Sequence, residues 1–387
     1  MGTLASTLAA SAILMGVVGC GRTGLDPDAT VDGGADGTAD TATPQPEGGD
    51  ARGDAAPLGP PDAGAAEEAS TPPWEMDAGL APDAACTGKL LPNGRCLVRI
   101  ASGQEYPWGV AIDATNVYWV NQGKPGETGT GAIMKAPRGG GRASAVVSGL
   151  DAPHDLATDG VDVFWTGKVL SAVSVNGGQP RTIFYDHFLS ETGIVIRQGK
   201  KVYWIDNDSF YGLHAAFPDG TGHEVISERT SIGGVAPSTT GIVYTEYSIF
   251  DGDPQRVKSR AFDGTTAVLV ESKDAVDSPQ LVASAKNVVV YTGQVGGLSS
   301  VPLAGGAPTF LANRTHPGGI ATDGTYLYFT DRGQGGVVRA PLGDGAPELL
   351  VGNDDDQGVY GDGSIAIDAA SVYFTDEAGY VFRLWPR

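Results

Sequence analysis

Basic charge is scarce in this chain. Its 387 residues carry 25 Lys and Arg against 46 Asp and Glu, a formal net charge of -21. That balance excludes a general affinity for nucleic acid or for anionic lipid surfaces. Helical patterning is missing too: past residue 86 no stretch shows a convincing amphipathic period. No G-x-S-x-G, P-loop, Rossmann fingerprint after a strand, or H-E-x-x-H occurs. Ser, His and Asp are present, but no spacing marks a triad. What is abundant is glycine (58 residues) and proline (25), which suits short strands and frequent turns.

The N-terminal apolar segment, Leu4 to Val18, contains no acid and is too short for a comfortable membrane span. It runs into Val17-Val18-Gly19-Cys20, which resembles the lipobox of bacterial lipoprotein signal peptides. The resemblance implies cleavage before Cys20 and a lipid on that cysteine. The chain departs from the pattern in having no Lys or Arg before Arg22. Gly21 after the cysteine, rather than Asp, resembles the sorting pattern for the outer membrane of the cell envelope.

Residues 21–85 hold fourteen acids, two basic residues and almost no large apolar side chain. Such a composition does not bury enough surface to offset chain entropy, so a disordered linker is expected. Its r.m.s. reach would be roughly 45 Å, which suits a stalk. The expected organisation is therefore a leader over 1–19, an acidic linker over 20–85 and a folded region over 86–387. With Cys20 lipidated, Cys86 and Cys96 remain as an even pair around a short Gly/Pro/Asn loop. In an exported protein that pair is expected to form a disulfide.

The folded region repeats. Seven phrases of the form aliphatic, apolar, aromatic end on Trp119, Trp165, Trp204, Tyr244, Tyr291, Phe329 and Phe374. They stand 46, 39, 40, 47, 38 and 45 residues apart. Nine residues before each anchor is an aliphatic: Val110, Leu156, Val195, Val235, Val282, Ile320, Ile365. Each unit holds four short strands, a to d, and glycine pairs such as Gly139-Gly140 and Gly305-Gly306 mark c–d turns. In the sixth unit the expected strands are 319–323, 326–331, 336–342 and 347–351. This period predicts an all-β, seven-bladed β-propeller of four-stranded blades. The seventh unit lacks strand d, and Cys96 to Ala101 is an unassigned strand-like run before the first unit. We expect that run to pair as the missing outer strand and close the ring.

The strand b ending, as in Tyr328-Phe329-Thr330-Asp331, resembles the Tyr-Trp-Thr-Asp repeats of the LDL-receptor type. The longer phrase is similar to repeats of bacterial seven-bladed propellers of the NHL, SMP-30 and virginiamycin B lyase kind. The likeness covers about residues 96–387 and rests on residues that pack blades, so it carries fold rather than function.

Candidate site residues are those that break the repeat near the start of strand a. Eleven residues before the anchors stand Trp108, His154, Gly193, Gly233, Gln280, Gly318 and Gly363; two residues earlier stand Tyr106, Ala152, Glu191, Ser231, Ser278, His316 and Gly361. These positions are expected to ring the channel mouth, with Tyr106, Trp108, His154, Glu191, Gln280 and His316 as the binding surface. The virginiamycin B lyase resemblance implies a Pro-His pair, matched by Pro153-His154, and a glutamate in the next blade, matched by Glu191. Its second histidine would fall at Gly193. One His and one Glu are too few for that chemistry. His316 lies two residues out of register with His154, and His187, His214 and His223 read as surface residues. The loops Asn353-Asp354-Asp355-Asp356 and Asp251-Gly252-Asp253 are oxygen-rich in the manner of Ca²⁺ sites but lack EF-hand spacing, and read as solvated turns. The sequence thus favours a tethered, non-enzymatic binding or scaffold domain with no cofactor, taking a glycan, peptide or protein ligand. A propeller lyase or hydrolase using His154 and Glu191 is the alternative.

Overall fold

The computed structural model describes residues 86–185, 193–206, 212–228, 231–247, 255–272, 282–286, 288–292, 297–312, 317–333, 335–353, 360 and 363–387. Residues 1–85, which hold the expected leader, the expected linker and Cys20, lie outside the described residues. The described chain is all-β: seven antiparallel sheets, six of four strands and one of five. The innermost strands of successive blades neighbour one another around a closed ring, the seventh returning to the first. This is a seven-bladed β-propeller.

The nine-residue offset read from the sequence is the register of the a–b hairpin. All seven expected couples are directly opposed across the two strands: Val110 with Trp119, Leu156 with Trp165, Val195 with Trp204, Val235 with Tyr244, Val282 with Tyr291, Ile320 with Phe329, and Ile365 with Phe374. β-branched and aromatic residues favour this pairing because they pack well on a pleated surface. In the sixth blade the strands are Pro317–Thr322, Tyr326–Asp331, Gly336–Pro341 and Glu348–Gly352, each end within two residues of expectation.

Among the described residues there are seven hydrophobic clusters, one for each seam between blades. Each anchor packs against the preceding blade: Trp119 meets Tyr373, Trp165 meets Tyr118, Trp204 meets Phe164, and Tyr244 meets Tyr203. Tyr291 meets Val243, Phe329 meets Val290, and Phe374 meets Tyr328. A single blade exposes both faces, so stacking is what removes this apolar surface from water.

The last sheet shows how the ring closes. Cys96–Ala101 pairs antiparallel with Tyr380–Trp385, setting Leu97 opposite Leu384 and Arg99 opposite Phe382. Cys86 and Cys96 form a disulfide with Cα atoms 5.5 Å apart. The expected loop between them also supplies a short fifth strand, Lys89–Leu90, on the outer edge of the same sheet.

At the far end of strand a, three blades carry an aspartate five residues before a tyrosine. Tyr118 donates to Asp113 at 2.6 Å and Tyr373 to Asp368 at 3.0 Å, while Tyr328 lies 3.4 Å from Asp323. In the first, Asp113 also accepts the backbone N–H groups of Thr115 and Asn116, both at 2.7 Å. In blade 2 the tyrosine position is Phe164. There Asp159 instead takes Arg197 of blade 3, Nε to Oδ2 at 3.2 Å. Asp113, Asp323 and Asp368 are buried, and buried carboxylates require such partners; Asp159 is exposed.

Candidate functional site

A channel of about 760 Å³ runs along the axis, walled by the innermost strands of all seven blades. Most of its wall is Gly, Ala, Val, Ile and Leu. At one end, where strand a begins in blades 1 and 2, Trp108, His154 and Asp155 line it. At the other, Asp113, Asp159, Arg197 and Gln198 line it.

Thr166, the residue after the blade 2 anchor, shapes the first end. Its hydroxyl donates to the carbonyl of Gly193 in blade 3 at 2.5 Å and accepts the N–H of Asp155 at 3.2 Å. Its carbonyl accepts the N–H of His154 at 2.9 Å. Thr330 repeats the device, donating to Gly363 of the next blade at 2.8 Å and accepting the N–H of Gly319 at 2.9 Å. What excludes a side chain at such glycines is the strand b carbonyl of their own blade: a Cβ on Gly193 would stand 2.6 Å from the Ile205 carbonyl, and one on Gly363 would be closer still to that of Thr375. Trp108 and His154 are therefore departures from a glycine position.

The His154 ring lies 5.8 Å from the Trp108 ring at 45°. Burial lowers its pKa to about 4, although a hydrogen bond to the Gly193 backbone works the other way. The imidazole is thus neutral at pH 7. Its Nδ1 has no hydrogen-bond partner among the described residues.

Asp155 was not singled out in the sequence. Burial raises its pKa to about 6, against the pull of hydrogen bonds from the backbone of Val195 and Leu156. The Val195 N–H reaches Oδ2 at 3.1 Å, tying blade 2 to blade 3. No ion pair involves Asp155 among the described residues. One signal in the sequence marks it: ten residues before the anchors the other blades have Gly109, Ile194, Gly234, Leu281, Gly319 and Ser364, and Asp155 is the one ionisable group.

Tyr106 is exposed, with φ +52°, and is not part of the channel wall. Ala152, its counterpart in blade 2, also has a positive φ, +41°. Glu191, Gln280 and His316 lie outside the described residues, as do His187 and the acidic loops 251–253 and 354–356. His214, expected at the surface, is buried. It stands opposite Trp204 on the neighbouring strand, in the seam with blade 2, and its Nδ1 lies 3.2 Å from Nε2 of the exposed His223. The Phe184 ring of blade 2 stacks on His223 at 4.4 Å. An offset count does not show which strand face a side chain occupies.

Solved structures with this fold include virginiamycin B lyase from Staphylococcus aureus, at 12% identity and a TM-score of 0.54, covering 75% of this chain and 98% of that one. YCF48 bound to a D1 peptide is similar at 11% identity and a TM-score of 0.54, covering 76% and 98%. Hydrazine synthase from Kuenenia stuttgartiensis is similar at 14% identity and 0.54, covering 74% and 97%. At such identities the likeness shows the fold alone, and the roles of these neighbours differ. No family model matches the chain, and no curated protein matches it.

Proposed function

We propose that this propeller is a non-enzymatic binding module whose ligand enters the channel beside Trp108, His154 and Asp155. The observation that carries the reading is an apolar channel of about 760 Å³ with polar groups at its ends, where His154 and Asp155 stand beside an aromatic, Trp108, at one mouth. That is the usual make-up of a small-ligand or peptide-end site. Blades 1 and 2 put side chains where blades 3, 6 and 7 have Gly193, Gly318 and Gly363, so the mouth is asymmetric. Asymmetry gives a ring of equivalent blades a preferred ligand orientation. The neighbour YCF48, which shares the fold, is bound to a D1 peptide.

The lyase or hydrolase reading has less support. A histidine held near pKa 4 is a weak general base at neutral pH, because proton transfer is most efficient when the pKa lies near the working pH. Its proposed partner, Glu191, is outside the described residues. The lipobox-like Val17-Val18-Gly19-Cys20 and the acidic linker support a lipid-anchored address in a bacterial envelope, with the ring held clear of the membrane.

The test is a glycan and peptide array probed with the wild-type domain and with Trp108→Ala and His154→Ala. Loss of the bound features in both variants is expected. Unchanged binding overturns the choice of mouth. Labelling with a clickable fatty acid tests the address separately: Cys20→Ala should abolish the label.

A further inference from the structure

We propose that the Trp108–His154–Asp155 mouth recognises an organic ammonium group. The inference rests on the binding reading above and assigns its ligand chemistry.

The mouth offers acceptors and a π face, and among the described residues it offers no cation. Asp155 sits inside the ring of blades with two partners among those residues, the N–H groups of Val195 and Leu156. Both are neutral, and a carboxylate has about four lone-pair sites to fill. Its Oδ1 side faces Gly109 of blade 1, where a Cβ would stand at 2.5 Å. The carboxylate is thus accommodated by a missing side chain and fixed by backbone donors, yet no positive group among the described residues offsets it. Enclosed carboxylates without a counter-charge are costly, and a cationic ligand removes that cost.

His154 does not supply the charge. Its ring is neutral at pH 7 and bonded to the Gly193 backbone. Arg197, the basic residue in the channel wall, is held at the opposite end. It is bonded there by Asp159 and by the carbonyls of Gln198, Gly199 and Lys201. Trp108 is half-buried against His154 and lines the same mouth. Indole beside a carboxylate is a favourable setting for an ammonium, which is attracted by the ring quadrupole and the negative charge together. An anionic ligand would meet Asp155 with no cation among the described residues to screen it. The folded region over 86–387, with 32 Asp and Glu against 23 Lys and Arg, would repel it at longer range as well.

Three probes of similar shape and different charge test this: benzylamine, benzyl alcohol and benzoate. Each is titrated into the wild-type chain by isothermal calorimetry and saturation-transfer NMR at pH 7.5 or thereabouts. Benzylamine is expected to bind at least about tenfold more tightly than the other two. Asp155→Asn should reduce its affinity by about tenfold or more, and Trp108→Ala should remove the NMR transfer. Asp155→Ser, the residue found at this position in blade 7, serves if the Asn variant does not fold, as judged by circular dichroism. Benzyl alcohol or benzoate binding as tightly as the amine, and sensitively to Trp108→Ala, keeps the mouth and overturns the ammonium assignment. Amine binding that survives both Asp155 variants also overturns it. Absence of binding by all three probes overturns the assignment; a mouth that still retains a Trp108-dependent array ligand stands without it.

Discussion

Gly109 and Asp155 meet across the seam between blades 1 and 2: a Cβ on Gly109 would stand 2.5 Å from Asp155 Oδ1 and 2.9 Å from its Cα. Both residues occupy the same place in their blades, ten residues before the anchor. One blade has given up its side chain and the next has filled the space with a carboxylate. Gly109→Ala is therefore expected to push Asp155 and the start of blade 2 outward, costing about 1–3 kcal/mol of stability. The control is Gly343→Ala, where a Cβ meets nothing within 4 Å. There the smaller entropy of the unfolded chain should leave stability unchanged or slightly higher. Urea unfolding of both variants checks this; equal midpoints would show that the seam yields freely.

The two titratable groups at the mouth should pull stability in opposite directions with pH. The folded-state pKa of His154 is depressed from 6.5 to about 4. Its contribution is present above pH 6.5 and is lost as pH falls towards 4. That of Asp155 is raised from 3.8 to about 6. Its ionised form burdens the fold above pH 6, and the burden is relieved as pH falls towards 3.8. Each linkage amounts to roughly 3 kcal/mol, so they largely cancel in the wild type. Asp155→Asn should gain stability at pH 7 and lose it steeply between pH 6.5 and 4. His154→Gln should gain stability over the same descent. Urea midpoints measured across pH 4 to 7.5 read this out, and three parallel curves would contradict it.

Much of this architecture is legible in the chain because blade packing recurs at fixed register. The nine-residue couple from Val110–Trp119 to Ile365–Phe374 is an a–b cross-strand pair in all seven blades. The closing strand was readable from a deficit, the missing outer strand after Trp385. The mouth was harder. Trp108 and His154 stand out because they interrupt glycines, and they do line the channel. Asp155 was missed because its importance lies in having no counter-charge among the described residues, and that depends on residues from blades 1 and 3. His214 was misplaced for a related reason. Its burial is set by Trp204 beside it and Phe184 of the adjoining blade, contacts that an offset count does not contain.

Arg138 links the first blade to the last at the opposite end of the channel. Its guanidinium pairs with Asp368, bonds the Tyr373 hydroxyl at 3.1 Å, and donates to the Asp113 carbonyl at 3.1 Å. Asp368 and Arg138 are both almost fully buried. Arg138→Ala would remove the cation paired with that carboxylate and leave only the more distant Arg383 near it, at an expected loss of about 3 kcal/mol. Tyr373→Phe removes one hydrogen bond and should cost about 1 kcal/mol. The ranking of the two variants by thermal melting is the check. A smaller loss for Arg138→Ala than for Tyr373→Phe would mean that Asp368 finds water or another donor.

The Cys86–Cys96 disulfide ties the closing strand to the segment that leads into it. The bridged residues are 10 apart in sequence. Cys96 is itself the first residue of the closing strand, opposite Trp385. Removing the bridge by Cys86→Ser with Cys96→Ser restores freedom to a short loop in the unfolded chain, worth about 2–3 kcal/mol. It also frees the Lys89–Leu90 edge strand, which is held by two residues of pairing. The Leu97–Leu384 and Arg99–Phe382 pairs do not depend on the bridge, so the ring should still close. The expected outcome is a folded variant with a lowered urea midpoint and faster hydrogen exchange confined to residues 86–101 and 380–385. Exchange spread evenly over all blades would instead mean that the disulfide stabilises the propeller as a whole, with closure and global unfolding a single event.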